Sequence, residues 1–338
     1  MRKLASIQRI KDLEPIPGAD AIEKATVLGW QLVVKKGEFQ VGDLAVYCEI
    51  DSILPDRPEF EFLKPRGMRI RTIRLRGQVS QGICFALSVL PPEVEIAEGV
   101  DCTEALGVVK YEPAIPAHLE GIARGPFPSF IPKTDETRVQ VLQPLLDSLA
   151  GQLCCLSEKL DGSSATYYLR NGEFGVCSRK LDLLDDGENS FWKVAKELDI
   201  EAKLRAAGRN LAIQGELLGE GIQGNKLRFR GQTVRFFDAF DIDAATYLPY
   251  ASFTALMAQL DLPTVPVIDE SYVLESDIAA IVQRAIIRSA ILPDVWAEGI
   301  VIRPLEPVSL APEFSYLFSR ARVSFKAINP EFLLKYGE

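Results

Sequence analysis

Glycines cut the first hundred or so residues into short apolar or alternating runs, and this pattern constrains the fold more than any other feature. "ATVLGWQLVVKKGEFQVGDLAVYCEI" and "RIRTIRLRGQVSQGICFAL" read as strands, with Gly29, Gly37, Gly42, Gly77 and Gly82 at the breaks. Runs this short suit a small all-β module, and the span suits an OB-type β-barrel. From "VVKYEPAIPAHLEGIARGPFPSFIPKT" onward the composition turns rich in Pro and Gly and the periodicity fades. That change predicts an N-terminal module over 1–110 and a linker over 111–130. A chain of 338 residues exceeds a typical single domain, so 131–338 is expected to form a second one.

This second part mixes element types and makes the whole chain α+β. "VQVLQPLLDSL" (139–149) and "SFWKVAKELDIEAKLRAA" (190–207) have helical spacing. "SATYYLRNGEFGVCSR" reads as a hairpin turning at Asn171-Gly172. "RNLAIQGELLG", "TVRFFDAFDID" and "WAEGIVIRPL" read as strands that each carry an acid near one end.

Composition removes several function classes. The net charge of −9 argues against coating nucleic acid by bulk charge, while leaving room for a local basic surface. Six cysteines without a C-x-x-C pair, and a single histidine, His118, make a zinc site improbable. The cysteines are expected to be reduced packing residues and His118 to be solvated. No apolar run approaches the ~20 residues that span a bilayer, and the N-terminus turns polar too early for a secretory signal. A cytoplasmic monomer without membrane contact is expected.

The chemistry centres on "CCLSEKLDGSSATYYL" (154–169), an apolar run interrupted by Glu158, Lys159 and Asp161 and then turned by Gly162. Alone, this fits a solvent-facing lysine at a strand end. Further along come Arg179 in "SRK", Glu216 in "IQGELLG", Phe240 in "FDAFDI", Glu298 in "EGIVIR" and Lys326 in "VSFKAINPEF". A nucleophilic lysine must shed its proton, which neighbouring cations or a bound metal assist. Attack on an α-phosphate disperses charge that Lys, Arg and a divalent cation stabilise, and hard cations require carboxylates. Lys159, Arg179 and Lys326 with Asp161, Glu216 and Glu298 supply both sets, and Phe240 offers a face for a purine.

The ordered series resembles the covalent nucleotidyltransferase superfamily of ATP-dependent ligases and mRNA capping enzymes. DNA ligases and capping enzymes usually carry K-x-D-G-x-R and a trailing OB domain. Here Ser164 stands at the arginine position, the barrel-like module comes first, and twelve residues follow Lys326. The arrangement is similar to a family of ATP-dependent RNA ligases with an N-terminal OB domain and a C-terminal nucleotidyltransferase domain. "IPGADAIEKATVLGWQLVVKKGEFQVGDLAVYCEIDSILP" looks like that OB module, and "PFPSFIPKTDETRVQ" like the entry to the catalytic domain.

The resemblance implies antiparallel sheets with flanking helices, an ATP-grasp-like ligase fold, and sealing of RNA 3′-hydroxyl and 5′-phosphate ends, as in RNA repair. It assigns Lys159 to the lysyl-N–AMP bond. Glu158 would recognise adenine and Phe240 stack on it. Asp161 and Gly162 would belong to the ATP site, Arg179 and Glu216 would contact ribose or phosphate, Lys326 the α-phosphate, and Arg138 the triphosphate. Asp161, Glu216 and Glu298 would hold the waters of Mg²⁺ or Mn²⁺. Some members carry K-x-K in the last motif; the second position here is Ile328. A DNA ligase, a GTP-dependent guanylyltransferase and a catalytically inactive nucleic-acid adaptor are the competing readings. Finally, "KPRGMRIRTIRLRG" gathers Arg69, Arg71, Arg74 and Arg76, which alternation along a strand would array as a phosphate-binding stripe for RNA.

Overall fold

The computed structural model describes residues 3–112, 121–308, 310, 314 and 322–337; His118 and part of the expected linker lie outside them. The chain forms two compact units, Met1–Ala114 with Pro330–Glu338, and Ile115–Asn329. Residues 330–338, which follow the last motif in sequence, thus cluster with the N-terminal unit.

The first unit is an OB-like half-barrel. One antiparallel sheet has the order Trp30–Lys35, Ile22–Val27, Ala5–Pro15, Leu44–Cys48, Ile83–Phe85. Ala5–Pro15 pairs on both sides, and its register shifts between Ile10 and Asp12, a bulge that bends the strand from one partner to the other. The inner face buries Ile7, Ile10, Trp30, Leu32 and Tyr47 completely. Gly82 shows why a glycine punctuates here. It sits at φ 108, and a Cβ would lie 2.3 Å from the Tyr47 ring, whose hydroxyl donates to Gln81 O at 2.9 Å. The terminal helix Pro330–Tyr336 is held in this unit through Glu331, which forms an ion pair with Arg74.

The second unit contains a seven-stranded and a five-stranded sheet, each with its own core cluster. In the larger sheet, Ser163–Arg170 and Glu173–Cys177 form the expected hairpin; Asn171 (φ 51) and Gly172 (φ 81) are both left-handed, as a type I′ turn requires. Leu211–Gly219 and Gln232–Asp241 extend it. Helices cover one face. The expected single helix over 190–207 is two, Ser190–Glu197 and Ile200–Ala206, because Asp199 turns left-handed (φ 50). The break lets Val194, Ile200 and Leu204 all reach the same core. Asn189 caps the first helix by accepting from Trp192 N at 3.0 Å.

The smaller sheet has the order Thr137–Arg138, Phe325–Ile328, Gly299–Pro304, Leu153–Lys159, Val267–Val273. It departs from an all-antiparallel arrangement at one pair, Thr137–Arg138 beside Phe325–Ile328, which runs parallel. All six cysteines are free and buried, as packing residues should be. Phe325 is fully buried in the centre of this sheet's core. Phe325→Ala should therefore lower stability by about 3–5 kcal/mol, the usual cost of a large core truncation. Denaturant unfolding checks this, and a loss under about 1 kcal/mol would contradict the packing.

Candidate active site

The register of the smaller sheet brings residues far apart in sequence onto one face. Ser157 pairs with Val301, Val301 with Lys326, and Lys326 with Arg138, so these four form a cross-strand row. Lys159 is two residues beyond Ser157 and shares that face; its own row is Lys159, Gly299 and Ile328. Gly299 has no alternative there, since a Cβ would lie 2.2 Å from Ala327 O. The Ile328 side chain is buried, at 3% exposure. In the larger sheet Ser164, Glu216 and Arg235 form a second row.

Opposite charges meet between these rows. Lys159 Nζ donates to Glu298 Oε2 at 2.5 Å, and Lys226 Nζ to Asp161 Oδ2 at 2.6 Å. Gly162 N donates to Glu216 Oε1 at 3.0 Å. A Cβ on Gly162 would stand 2.3 Å from Leu217 O, so only glycine lets the lysine motif turn against this strand. Burial alone would discharge Lys159, but Glu298, Glu216 and Asp161 outweigh it and hold its pKa above the usual lysine value. For Glu216, burial dominates; Lys159 opposes it, Glu298 and Asp161 add to it, and the pKa rises to about 8. Lys326 is brought down to about 7 by burial, with Lys159 and Arg138 adding to the fall.

The remaining expected residues are placed less directly. The Glu158 carboxylate is buried against the 289–290 loop and accepts from Ala290 N at 2.8 Å; burial raises its pKa. Arg179 sits in the turn after Glu173–Cys177 and pairs with Asp135 at 2.5 Å, both side chains exposed. Phe240 is fully buried, edge-to-face with Tyr247 at 5.1 Å in a cluster with Ile131 and Tyr168. Phe237, three residues earlier in the same strand, is only partly buried. It lines a cavity of about 140 Å³ with Ser157, Val265, Tyr250 and Arg303. A bulge between Gln214 and Gly215 shifts the pairing beside Phe236–Asp238, and strand alternation in the sequence does not reveal it.

Two groups escaped the sequence reading. Lys226 lies in a loop without a recognisable motif. Glu136, Arg303, Arg322 and Asp238 form an interior ion cluster: Arg322 reaches Asp238 at 2.5 Å and Glu136 at 3.2 Å. Arg303 Nη1 donates to Phe237 O at 2.6 Å and so ties the smaller sheet to the larger. Among the described residues no three Asp, Glu, His or Cys side chains converge closely enough to hold a metal directly. Asp161, Glu216 and Glu298 are hard oxygen donors that sense one another's charge, which fits a divalent cation bound through its waters.

The arginine stripe in the first unit is not the uniform face that alternation predicts. Arg69 is buried: it pairs with Asp51 at 2.8 Å and its guanidinium lies 3.6 Å from the Tyr111 ring centroid. Arg71 is exposed, with Nη1 3.5 Å from Gly337 O, and Arg74 is paired with Glu331. The strand ends at Leu75, and Arg76 (φ 48) occupies the hairpin turn with Gly77 (φ 84).

A raised carboxyl pKa has a definite consequence for stability. Glu216 holds a proton in the folded state between its ordinary value of 4.5 and about 8, a window in which the unfolded chain has released it. The folded state thus binds more protons, and stability falls as pH rises through that window. Glu216→Gln should flatten this fall in metal-free unfolding measurements; an unchanged pH slope would contradict the assigned environment.

A model of the RNA ligase family matches residues 153–328, and an OB-fold domain model matches residues 4–87. No curated protein matches the chain. Among solved structures, a Naegleria gruberi RNA ligase mutant with ATP and Mn is 38% identical, with a TM-score of 0.88 over 98% of this chain and 98% of that one. A further mutant of that ligase with AMP and Mn gives the same identity, coverage and TM-score. The Naegleria gruberi RNA ligase with PPi is again 38% identical over 98% of each chain, at a TM-score of 0.87. With the OB-like unit, the lysine row and the facing carboxylates in place, the chain belongs to the RNA ligase family.

Proposed function

We propose that this protein joins RNA 3′-hydroxyl and 5′-phosphate ends at the expense of ATP, through a lysyl-N–AMP intermediate. The observation that carries the reading is Lys159 set among Glu298, Glu216 and Asp161, with Lys326 in the adjoining row. Lys159 Nζ attacks the α-phosphorus of ATP; the bond to the bridging oxygen breaks and pyrophosphate leaves. An RNA 5′-phosphate oxygen then attacks that phosphorus and displaces the lysine, giving a 5′–5′ pyrophosphate-linked end. Last, an RNA 3′-hydroxyl attacks the activated 5′-phosphate and expels AMP.

The residues divide this work by charge and position. Lys159 rests protonated on Glu298, so the attack requires that pairing to loosen and the proton to depart. Asp161, Glu216 and Glu298 would hold a divalent cation through its waters, and that ion would supply the competing positive charge and charge stabilisation at the α-phosphate. Lys326 and Arg138, adjacent in one row, meet the phosphates, and Arg179 contacts ribose or phosphate. Phe237, rather than the enclosed Phe240, offers its ring to adenine from the cavity beside Ser157. Glu158 shapes the site by fixing the 289–290 loop. In the first unit the exposed Arg71 and Arg76 are the stripe members best placed to meet RNA.

Labelled ATP tests the first step and pre-adenylylated RNA the last. Lys159→Ala should lose all covalent labelling, yet seal RNA that already carries the 5′-adenylate. Wild type labelled by GTP in preference to ATP, or sealing DNA ends in preference to RNA, would contradict the assignment.

A further inference from the structure

Apart from Lys226, the segment joining Leu211–Gly219 to Gln232–Asp241 has no part in the chemistry above. Residues 220–235 hold Lys226, Arg228, Arg230 and Arg235 against one acid, Glu220, in a chain of net charge −9. The loop is firmly built. Asn225 Oδ1 accepts from Phe229 N at 3.0 Å, its Nδ2 donates to Phe229 O at 2.9 Å, and its carbonyl accepts from Arg228 N at 2.9 Å. This clamp holds Arg228 in the left-handed region (φ 56), where a bulky residue is uncommon. Leu227 and Phe229 pack against Leu160 and Leu218. The loop is thereby seated on the residue between Lys159 and Asp161, and Lys226 pins it to Asp161 at 2.6 Å.

With Leu227 and Phe229 turned inward, Arg228 and Arg230 are left exposed. Neither side chain has an acidic partner among the described residues, whereas Arg179, Arg205 and Arg284 of the same unit each pair with a carboxylate. At the base of the hairpin, Arg235 lies in the row of Glu216 and Ser164, and its Nε is buried without a hydrogen-bond partner. Positive charge therefore runs from the carboxylate row of the site out along a rigid loop. Guanidinium forks set this way suit phosphate oxygens.

We propose that the 220–235 hairpin is an RNA-backbone grip, in which Arg228 and Arg230 take phosphates of the strand flanking the end being joined. Its rigidity means that little ordering is needed on binding. The inference rests on the RNA-joining reading of the site, and the experiment separates the two. Binding of a 5′-phosphorylated single-stranded RNA is measured over a salt series for the full chain, for the Arg228→Gln/Arg230→Gln double variant and for the matching Lys/Lys variant. Self-labelling with ATP is followed in parallel.

The Gln/Gln variant should self-label at the wild-type rate and bind RNA about tenfold more weakly at low salt. Its slope of log affinity against log salt should be shallower by about 1.4, since each lost single-strand phosphate contact removes about 0.7. The Lys/Lys variant should keep the wild-type slope. A Gln/Gln variant with wild-type affinity and slope, beside a wild type that seals RNA, overturns the grip alone. A wild type that self-labels and binds no RNA overturns the RNA-joining reading, and the grip with it.

Discussion

A lysine taken out of water keeps its charge only where carboxylates compensate it, and the catalytic unit is organised around that constraint. Lys159 rests on Glu298, Lys226 on Asp161, and Glu216 beside them is pushed up to about 8 chiefly by burial, with the charges of Glu298 and Asp161 adding to the rise. Lys326, one row away, is pushed down by burial, with the cations Lys159 and Arg138 adding to the fall. Such a set is balanced at rest and sensitive to added charge. A cation entering on the carboxylate side, or a triphosphate on the lysine side, redistributes protons and pairings together. In the proposed reaction, a nucleophile held protonated until its cosubstrates assemble is protected from attacking at the wrong moment.

The two sheets exist, in functional terms, to hold those rows opposite each other. Parallel pairing of Thr137–Arg138 with Phe325–Ile328 places Arg138 beside Lys326, which a hairpin could not do across so long a separation in sequence. Arg303 then bonds the smaller sheet to the Phe237 carbonyl of the larger, inside an ion cluster with Glu136, Arg322 and Asp238. Close backbone approach at Gly162 and Gly299 completes the fit, because any side chain there would strike a neighbouring carbonyl.

Much of this was legible in the sequence, and the failures are physically instructive. The order of the lysine, acidic and basic motifs identified the family, and Asn171-Gly172 located its hairpin, because both signals are local. The place of Phe240 in "FDAFDI" suggests a base-stacking aromatic, yet it is enclosed by Tyr247 and Tyr168, and Phe237 lines the cavity. The bulge opposite Gly215 shifts the pairing there, and no composition signal marks it. Alternation groups Arg69 with its neighbours, but Asp51 and Tyr111, distant in sequence, claim its guanidinium. Lys226 had no motif at all; only the fold brings it to Asp161.

If the balanced lysine is the nucleophile, it must carry the adenylate. Incubation of the wild-type protein with ATP and a divalent cation, acid quenching and peptide mapping by mass spectrometry would locate any phosphoramidate directly. One AMP, carried on Lys159, is expected. An adduct on Lys326 or Lys226, or none on any lysine while RNA is still sealed, would contradict it.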